Sequence, residues 1–251
     1  MPMLLILLFS LLPNTSGASS VAPPMYESVL FIGDDHVADA FGNAVDAYLR
    51  TISIEVNTIA ECGSTPGNWV GVRTDFQSAK CGFWQRDEKR RERKSKEFKP
   101  RSLSEELAKA DPDLTIIALG TYLLMNERDM QNEQSSVEKM VSEVERIQSR
   151  CVWIGPPRLS KEPYASNLDS GVRTLKKILS KLHCDFIDSS KLTRYKGKDG
   201  LKYQVAAATR WGAQVSRELD KLNRPSPQEE QSLNLEPTLT NPSSPSGTAP
   251  R

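Results

Sequence analysis

The sequence predicts an α/β protein, a three-layer α/β/α sandwich built around a five-stranded parallel sheet. Short apolar runs alternate with longer segments of helical period along the chain, which is the pattern of consecutive parallel βαβ units. The 251 residues, of which 38% are hydrophobic and 26% charged, suffice for one domain with a substantial core. We expect this domain to cover residues 26–223.

Each predicted element follows from its own local pattern. Five apolar runs bounded by turn residues predict the strands, which are Val29–Ile32, Ile52–Ile59, Asp113–Gly120, Cys151–Pro157 and Cys184–Ser190. Apolar residues recurring every three to four positions predict the helices, which are Ala38–Tyr48, Ser135–Ile147, Leu168–Leu182 and Tyr203–Leu222. Right-handed crossovers between such strands place the loops that follow them along one edge of the sheet.

Three segments fall outside this alternation. Residues 1–20 contain an apolar run and then small residues, which predicts a signal peptide and an exported, periplasmic or extracellular protein. The run is too short to span a membrane in the mature protein. Residues 64–101 have no clear period and end in the basic run Lys89 to Arg101, which indicates a solvated loop or arm, or a surface for a protein or acidic-polymer partner. Residues 224–251 are rich in Pro and Ser and are predicted to be disordered.

Charge and cysteine content limit the function classes. The 33 Lys and Arg residues nearly balance 32 Asp and Glu, so no overall field favours nucleic acid, and we expect no specific nucleic-acid binding. Four cysteines in an exported protein predict disulfides, for which three pairings exist. We favour Cys62 with Cys81 and Cys151 with Cys184. A zinc site is the alternative, but no two cysteines have close ligand spacing, so no metal and no cofactor are predicted.

Four short motifs carry the remaining chemistry: FIGDD (31–35), ECGSTPGNW (61–69), ALGTY (118–122) and DGLKYQVAAATRWG (199–212). In this order and at these spacings, the chain resembles the SGNH (GDSL-type) hydrolase family from about Ser28 to Leu222. The resemblance implies a flavodoxin-like sandwich with a serine hydrolase site at the strand ends.

Carried over residue by residue, the resemblance assigns five family positions, namely Asp35, Gly63, Tyr122, Asp199 and Lys202. Asp35 stands in the place of the nucleophilic serine, Tyr122 in that of an asparagine, and Lys202 in that of the histidine. Acyl transfer needs a hydroxyl, a base that takes its proton, and donors for the oxyanion. Asp35 would set a negative charge beside the oxyanion, and a lysine of ordinary pKa is protonated at neutral pH. We therefore assign no catalytic residue.

Other roles for these residues stay open. Asp35 is predicted to cap the following helix, or to form a salt bridge with Lys202, and Tyr122 to line the pocket or simply pack. The two histidines, His36 and His183, are expected in structural or exposed positions. Less favoured is a pair of catalytic carboxylates for glycoside hydrolysis from Asp34, Asp35 and Asp199. A metal site of Asp34, Asp35 and Asp39 is no better supported.

Together these observations predict an exported pseudo-hydrolase that binds a glycan, an acyl ligand or an envelope partner. The predicted ligand-binding residues are Asp35, Gly63, Tyr122 and Lys202. Trp69, Trp84 and Trp211 are candidate stacking surfaces or core residues. The alternative function is an active esterase or acetylesterase with atypical site residues.

Overall fold

The computed structural model describes residues 24–72, 82–96, 102–126 and 131–223. These residues form one sheet in the strand order β4-β3-β2-β1-β5-β6-β7. The strands are β1 (Tyr26–Gly33), β2 (Ser53–Glu61), β3 (Phe83–Arg86), β4 (Glu92–Ser95), β5 (Leu114–Ala118), β6 (Arg150–Ile154) and β7 (Cys184–Ile187). The predicted signal peptide and the predicted disordered tail lie outside the described residues, in which no helix is long and apolar enough to cross a membrane.

Helices cover both faces of the sheet, as predicted. They are α1 (Ala40–Ile52), α2 (Pro66–Trp69), α3 (Leu103–Ala110), α4 (Gln134–Arg146), α5 (Tyr164–Leu179), α6 (Ser189–Leu192) and α7 (Val205–Asn223), and a 3-10 turn covers Thr121–Leu124. The apolar sides of α1 and α7 pack with one face of the sheet. Those of α3, α4 and α5 pack with the other face, which completes the three layers.

The sheet has seven strands and is mixed, so the prediction of a five-stranded parallel sheet is wrong in count. The five predicted strands are present and parallel. The additional strands, β3 and β4, form an antiparallel hairpin beside β2, inside the segment predicted to be a loop or arm. Each has four residues, and the sequence of β4 is ERKS, so neither shows the apolar alternation by which a strand is recognised.

A buried carboxylate ties this hairpin to the rest of the fold. Asp46 on α1 is 2% exposed and accepts hydrogen bonds from Arg50 (3.0 and 3.1 Å), Thr58 (2.6 Å) and Arg86 (3.0 Å). The Arg50 guanidinium also donates to carbonyl groups of β2 and of the hairpin turn. Burial raises the pKa of Asp46, but the hydrogen bonds from Arg50 and Thr58 outweigh it and hold that pKa below its usual value.

Disulfides also connect parts of the fold. Cys151 and Cys184 lie opposite each other on the parallel strands β6 and β7 and are joined by a disulfide, as predicted. Cys62, which follows β2, is disulfide-bonded as well. Its predicted partner, Cys81, lies outside the described residues.

Candidate functional site

The carboxyl ends of the parallel strands bring three of the five family positions to one edge of the sheet. Gly33, at the end of β1, pairs in register with Ala60 of β2 and Ala118 of β5. The turn with Asp35 therefore begins between the loops that hold Gly63 and Tyr122. The Tyr122 hydroxyl donates a hydrogen bond of 2.8 Å to Oδ1 of Asp35. Burial and then the charge of Asp35 raise the pKa of Tyr122, so the phenol remains a donor.

Both predicted structural roles for Asp35 are wrong. Helix α1 begins at Ala40, and its N-cap is Asp39, because the chain makes an extra turn between β1 and the helix. In the described part of the chain, no ion pair joins Asp35 to Lys202, whose side chain is exposed. Asp35 is half-buried and is bound by Tyr122 instead.

The loop between α6 and α7 explains why Lys202 does not reach Asp35. Asp199 accepts hydrogen bonds from the backbone N–H groups of Leu201 (2.9 Å) and Lys202 (2.8 Å) and from the Tyr195 hydroxyl (3.1 Å). Its carboxylate thus closes a turn on the surface. Asp199 and Lys202 are both exposed, so the last family motif does not add a base to the candidate site.

Asp34 supports the turn from inside the protein. Its side chain is 2% exposed, and Oδ1 accepts the backbone N–H of His36 at 3.0 Å. Burial, opposed by the charge of His36 and assisted by that of Asp35, raises the pKa of Asp34 to about 7. A carboxyl group buried this far does not contact a substrate, which argues against a catalytic carboxylate pair. The described residues also contain no group of His, Cys, Asp or Glu that could hold a metal ion.

The two histidines have the structural and exposed positions expected of them. The His36 ring packs edge-on against Trp211, with ring centroids 5.3 Å apart, and also against Tyr203 at 6.4 Å. The cavity bordered by Asp34, His36 and Trp211 measures only about 10 Å³. His183 is exposed beside Glu145, 3.2 Å from that carboxylate.

The three tryptophans considered as stacking surfaces are core residues. Trp69 is 0%, Trp84 4% and Trp211 3% exposed, so none presents a ring face to a ligand. Trp211 instead stacks on Phe41 with a centroid distance of 3.6 Å. The partly exposed aromatic side chain beside Asp35 is Tyr122, whose ring meets Tyr164 edge-on.

Glu133, which no sequence motif marks, fixes the loop after β2. Gly63 begins this loop with a φ of 79°, in the left-handed region that favours glycine. Glu133 is buried, and its carboxylate accepts hydrogen bonds from the Thr65 hydroxyl (2.8 Å) and the Gly67 backbone N–H (2.6 Å). Since these groups lie 68 and 66 residues away in sequence, no local pattern indicates the contact.

The raised pKa of Asp34 predicts how an Asp34→Asn variant responds to pH. Between the unfolded value, about 3.9, and the folded value near 7, the folded wild type binds a proton that the unfolded chain does not. The contribution of Asp34 to the stability of the folded wild type therefore falls as the pH rises through this window. The asparagine of the variant does not titrate, so the variant lacks this loss. We expect the variant to gain about 3 kcal/mol relative to wild type between pH 4.5 and pH 8.

Urea unfolding at both pH values measures this change. Asp39→Asn is the matched control, because Asp39 is exposed and makes no side-chain cap hydrogen bond, so its difference from wild type should stay constant. Parallel stability curves for Asp34→Asn and wild type would contradict the assignment of the raised pKa to this carboxyl.

Comparison with known proteins was made at the level of sequence and of structure. No family model matches the sequence, and no relative is found among curated proteins. Similar solved structures include a carbohydrate acetylesterase from Sinorhizobium meliloti, at 16% identity and a TM-score of 0.57, and an aryl esterase from M. smegmatis, at 15% and 0.58. Both alignments cover 78% of this chain and 99% of the other.

A lipase/acylhydrolase from Enterococcus faecalis aligns at 16% identity with a TM-score of 0.52, over 80% of this chain and 98% of its own. At identities this low, similarity establishes the fold and leaves the activity open. The strand order, the position of the first three motifs at one sheet edge and these alignments agree. The chain has an SGNH hydrolase-like fold.

Proposed function

We propose that this chain is a non-hydrolytic binding protein built on the SGNH hydrolase-like fold, with a glycan, in free or acylated form, as its ligand. The hydrogen bond between Tyr122 and Asp35 carries the proposal. Through this bond the Tyr122 phenol, which keeps its proton, engages the Asp35 carboxylate that stands at the nucleophile position. The alternative is an active esterase with atypical residues.

The groups that acyl transfer requires are not assembled around Asp35. A carboxylate is a weak nucleophile toward esters, and its charge opposes the oxyanion that a hydrolase must stabilise. Lys202 is exposed on the loop between α6 and α7, and the His36 ring is packed against Trp211. Neither side chain therefore completes a pair of nucleophile and base.

The ligand class rests on analogy. One of the similar structures is described as a carbohydrate acetylesterase, and binding can persist in such a fold when the reaction is lost. Tyr122 and Gly63, at the same sheet edge, would contact the ligand. We also propose export, which the apolar N-terminus and the disulfides at Cys62 and Cys151 support.

The test is binding without hydrolysis, measured on the purified chain with p-nitrophenyl acetate and acetylated xylan. We expect wild type to release nitrophenol and acetate no faster than Asp35→Ala or buffer. We also expect acetylated xylan to retain wild type in affinity electrophoresis and to retain Tyr122→Ala less strongly. Turnover by wild type that Asp35→Ala abolishes would establish the esterase alternative, and equal retention of wild type and Tyr122→Ala would show that Tyr122 does not contact the ligand.

A further inference from the structure

A second concave site lies at the same sheet edge, beyond β7. It is a cleft of about 620 Å³ between the residues that follow β6 and β7 and the first turns of α7. Five cationic side chains from separate segments line this basic cleft: Arg158 after β6, Lys191 on α6, Arg194 and Lys196 in the next loop, and Arg210 on α7. The residues that line it include no carboxylate.

Much of this positive charge is not neutralised. Arg158 lies 4.0 Å from the carboxylate of Asp169, at the limit of an ion pair, and Lys191 lies 3.5 Å from that of Asp188. Across the ranges that the structure describes, Arg194, Lys196 and Arg210 form no ion pair, and all three are exposed. The basic cleft therefore concentrates positive charge on a chain whose formal net charge is only +1.

The backbone that carries these cations is held by four hydrogen bonds, two of them buried. The Thr193 hydroxyl accepts the backbone N–H of Arg158 and donates to the carbonyl of Ser189, both at 2.8 Å. The indole N–H of Trp211 donates to the Ser189 hydroxyl at 3.0 Å, and the Tyr203 hydroxyl donates to the Arg158 carbonyl. A site whose backbone is already ordered loses less entropy when a ligand binds.

We propose that the basic cleft binds an acidic polysaccharide through its carboxylate or sulfate groups. Guanidinium groups bind planar and tetrahedral oxyanions through two parallel hydrogen bonds, and three of the five cations are arginines. Gln214 adds an amide to the lining, which suits the hydroxyl groups of a sugar. The volume lies within the range of ligand clefts, about 300–1,000 Å³.

Nucleic acid fits the basic cleft less well. Single strands are bound on exposed aromatic rings, but Trp211, which borders the cleft, is 3% exposed and stacks on Phe41. Tyr203, the other ring in the lining, is partly buried and packs against His36 and Trp211. Duplexes are bound by basic surfaces that extend beyond one concave site, on domains more basic than this chain with its pI of about 7.6. The charged groups and the polar lining therefore favour a saccharide.

The basic cleft is separate from the site at Asp35. Tyr203 and Trp211 line the cleft and at the same time pack against His36, so they stand between the two sites. The inference goes beyond the function proposed above and does not depend on it. If cleft variants lose binding of the acidic polysaccharide while Asp35→Ala keeps it, the basic cleft and the site at Asp35 act independently.

The experiment measures the affinity of the full chain for heparin, polygalacturonate and neutral dextran at about 0.15 M salt, by titration calorimetry. The test variant combines Arg194→Glu, Lys196→Glu and Arg210→Glu. The matched control combines Lys89→Glu, Arg93→Glu and Lys94→Glu on the β3–β4 hairpin, which changes the net charge equally at exposed positions. Circular dichroism confirms that both variants are folded, and the corresponding glutamine variants repeat the test without added acids.

We expect wild type to bind heparin, polygalacturonate or both, and not dextran. The cleft variant should lose about 30-fold or more in affinity, and the hairpin control at most about threefold. Binding of heparin alone assigns sulfate as the recognised group, and binding of polygalacturonate alone assigns carboxylate. Equal losses in both variants, binding of neither acidic polymer, or tighter binding of single-stranded or duplex DNA than of either polymer would overturn the proposal.

Discussion

Replacing Asp46 by alanine should cost about 3 kcal/mol of unfolding free energy, one of the two largest losses that we expect from a change of side chains. The substitution leaves the buried guanidinium of Arg50, whose side chain is 8% exposed, without its carboxylate partner. It also removes the ion pair between Arg86 of β3 and α1, and leaves Arg86 joined to that helix only through Asn43. An unpaired buried cation is costly because its remaining contacts with carbonyl groups do not neutralise its charge.

The measurement is urea unfolding near pH 7, with Asp39→Ala as the matched control on the same helix. Asp39 is exposed and caps no N–H group through its side chain, so its replacement should change stability by less than about 0.5 kcal/mol. Hydrogen exchange of the β3 amides should accelerate in Asp46→Ala because Arg86 loses its ion pair with the buried carboxylate. Equal losses in the two variants would show that the Asp46 network does not stabilise the fold.

The pH dependence of this difference has a definite sign. The folded pKa of Asp46 is lowered, so its contribution is present above the unfolded value of about 3.9 and is lost as the pH falls through the folded value. The gap between wild type and Asp46→Ala should therefore shrink below about pH 4 and be constant from pH 6 to pH 8. A stability difference between wild type and Asp46→Ala that stays the same in acid would mean that the charge of the Asp46 carboxylate does not cause it.

Removing the Cys151–Cys184 disulfide should have the other large effect. The bridge joins residues 33 positions apart, and closing a loop of this length restricts the unfolded chain by about 3–4 kcal/mol in the chain-entropy account. The double variant Cys151→Ala and Cys184→Ala should be less stable by about this amount. Strand β7, which has one neighbour in the sheet, should lose most of its protection from hydrogen exchange.

Comparison in dithiothreitol separates the cross-link from the change in side-chain volume. Reduction opens the bridge in wild type, so the difference between wild type and the double variant should nearly close. A difference that persists undiminished under reducing conditions would assign the loss to packing around the two buried side chains.

The central strands were predictable because their physical signal is local. Strands such as Leu114–Ala118 are buried on both faces and therefore read as continuous apolar runs. The hairpin was not predictable in this way, because the Glu92–Ser95 strand is polar and exists through its pairing with Phe83–Arg86. The pairing register of two strands is a property of the whole fold, and a four-residue segment does not encode it alone.

The candidate site was predictable in position but not in connectivity. The motifs place Asp35 and Tyr122 at one sheet edge, and the structure joins them directly. The predicted partner, Lys202, points elsewhere because Asp199 and Tyr195 fold its loop into a surface turn.

The basic cleft was not predicted, for another reason. Its cations come from separate segments spread from Arg158 to Arg210, so no contiguous basic run in the sequence marks the cleft.

The β3–β4 hairpin has a consequence for how copies of this protein meet. An outermost strand offers main-chain donors and acceptors to any passing strand, and flat apolar edges promote aggregation for that reason. Here the outermost strand on that side of the sheet is β4, and its exposed residues are Glu92, Arg93 and Lys94. A second copy aligned alongside in parallel would bring like charges together, and in either direction it would have to desolvate charged side chains. The charged character of this strand thus opposes pairing of two copies through this edge of the sheet.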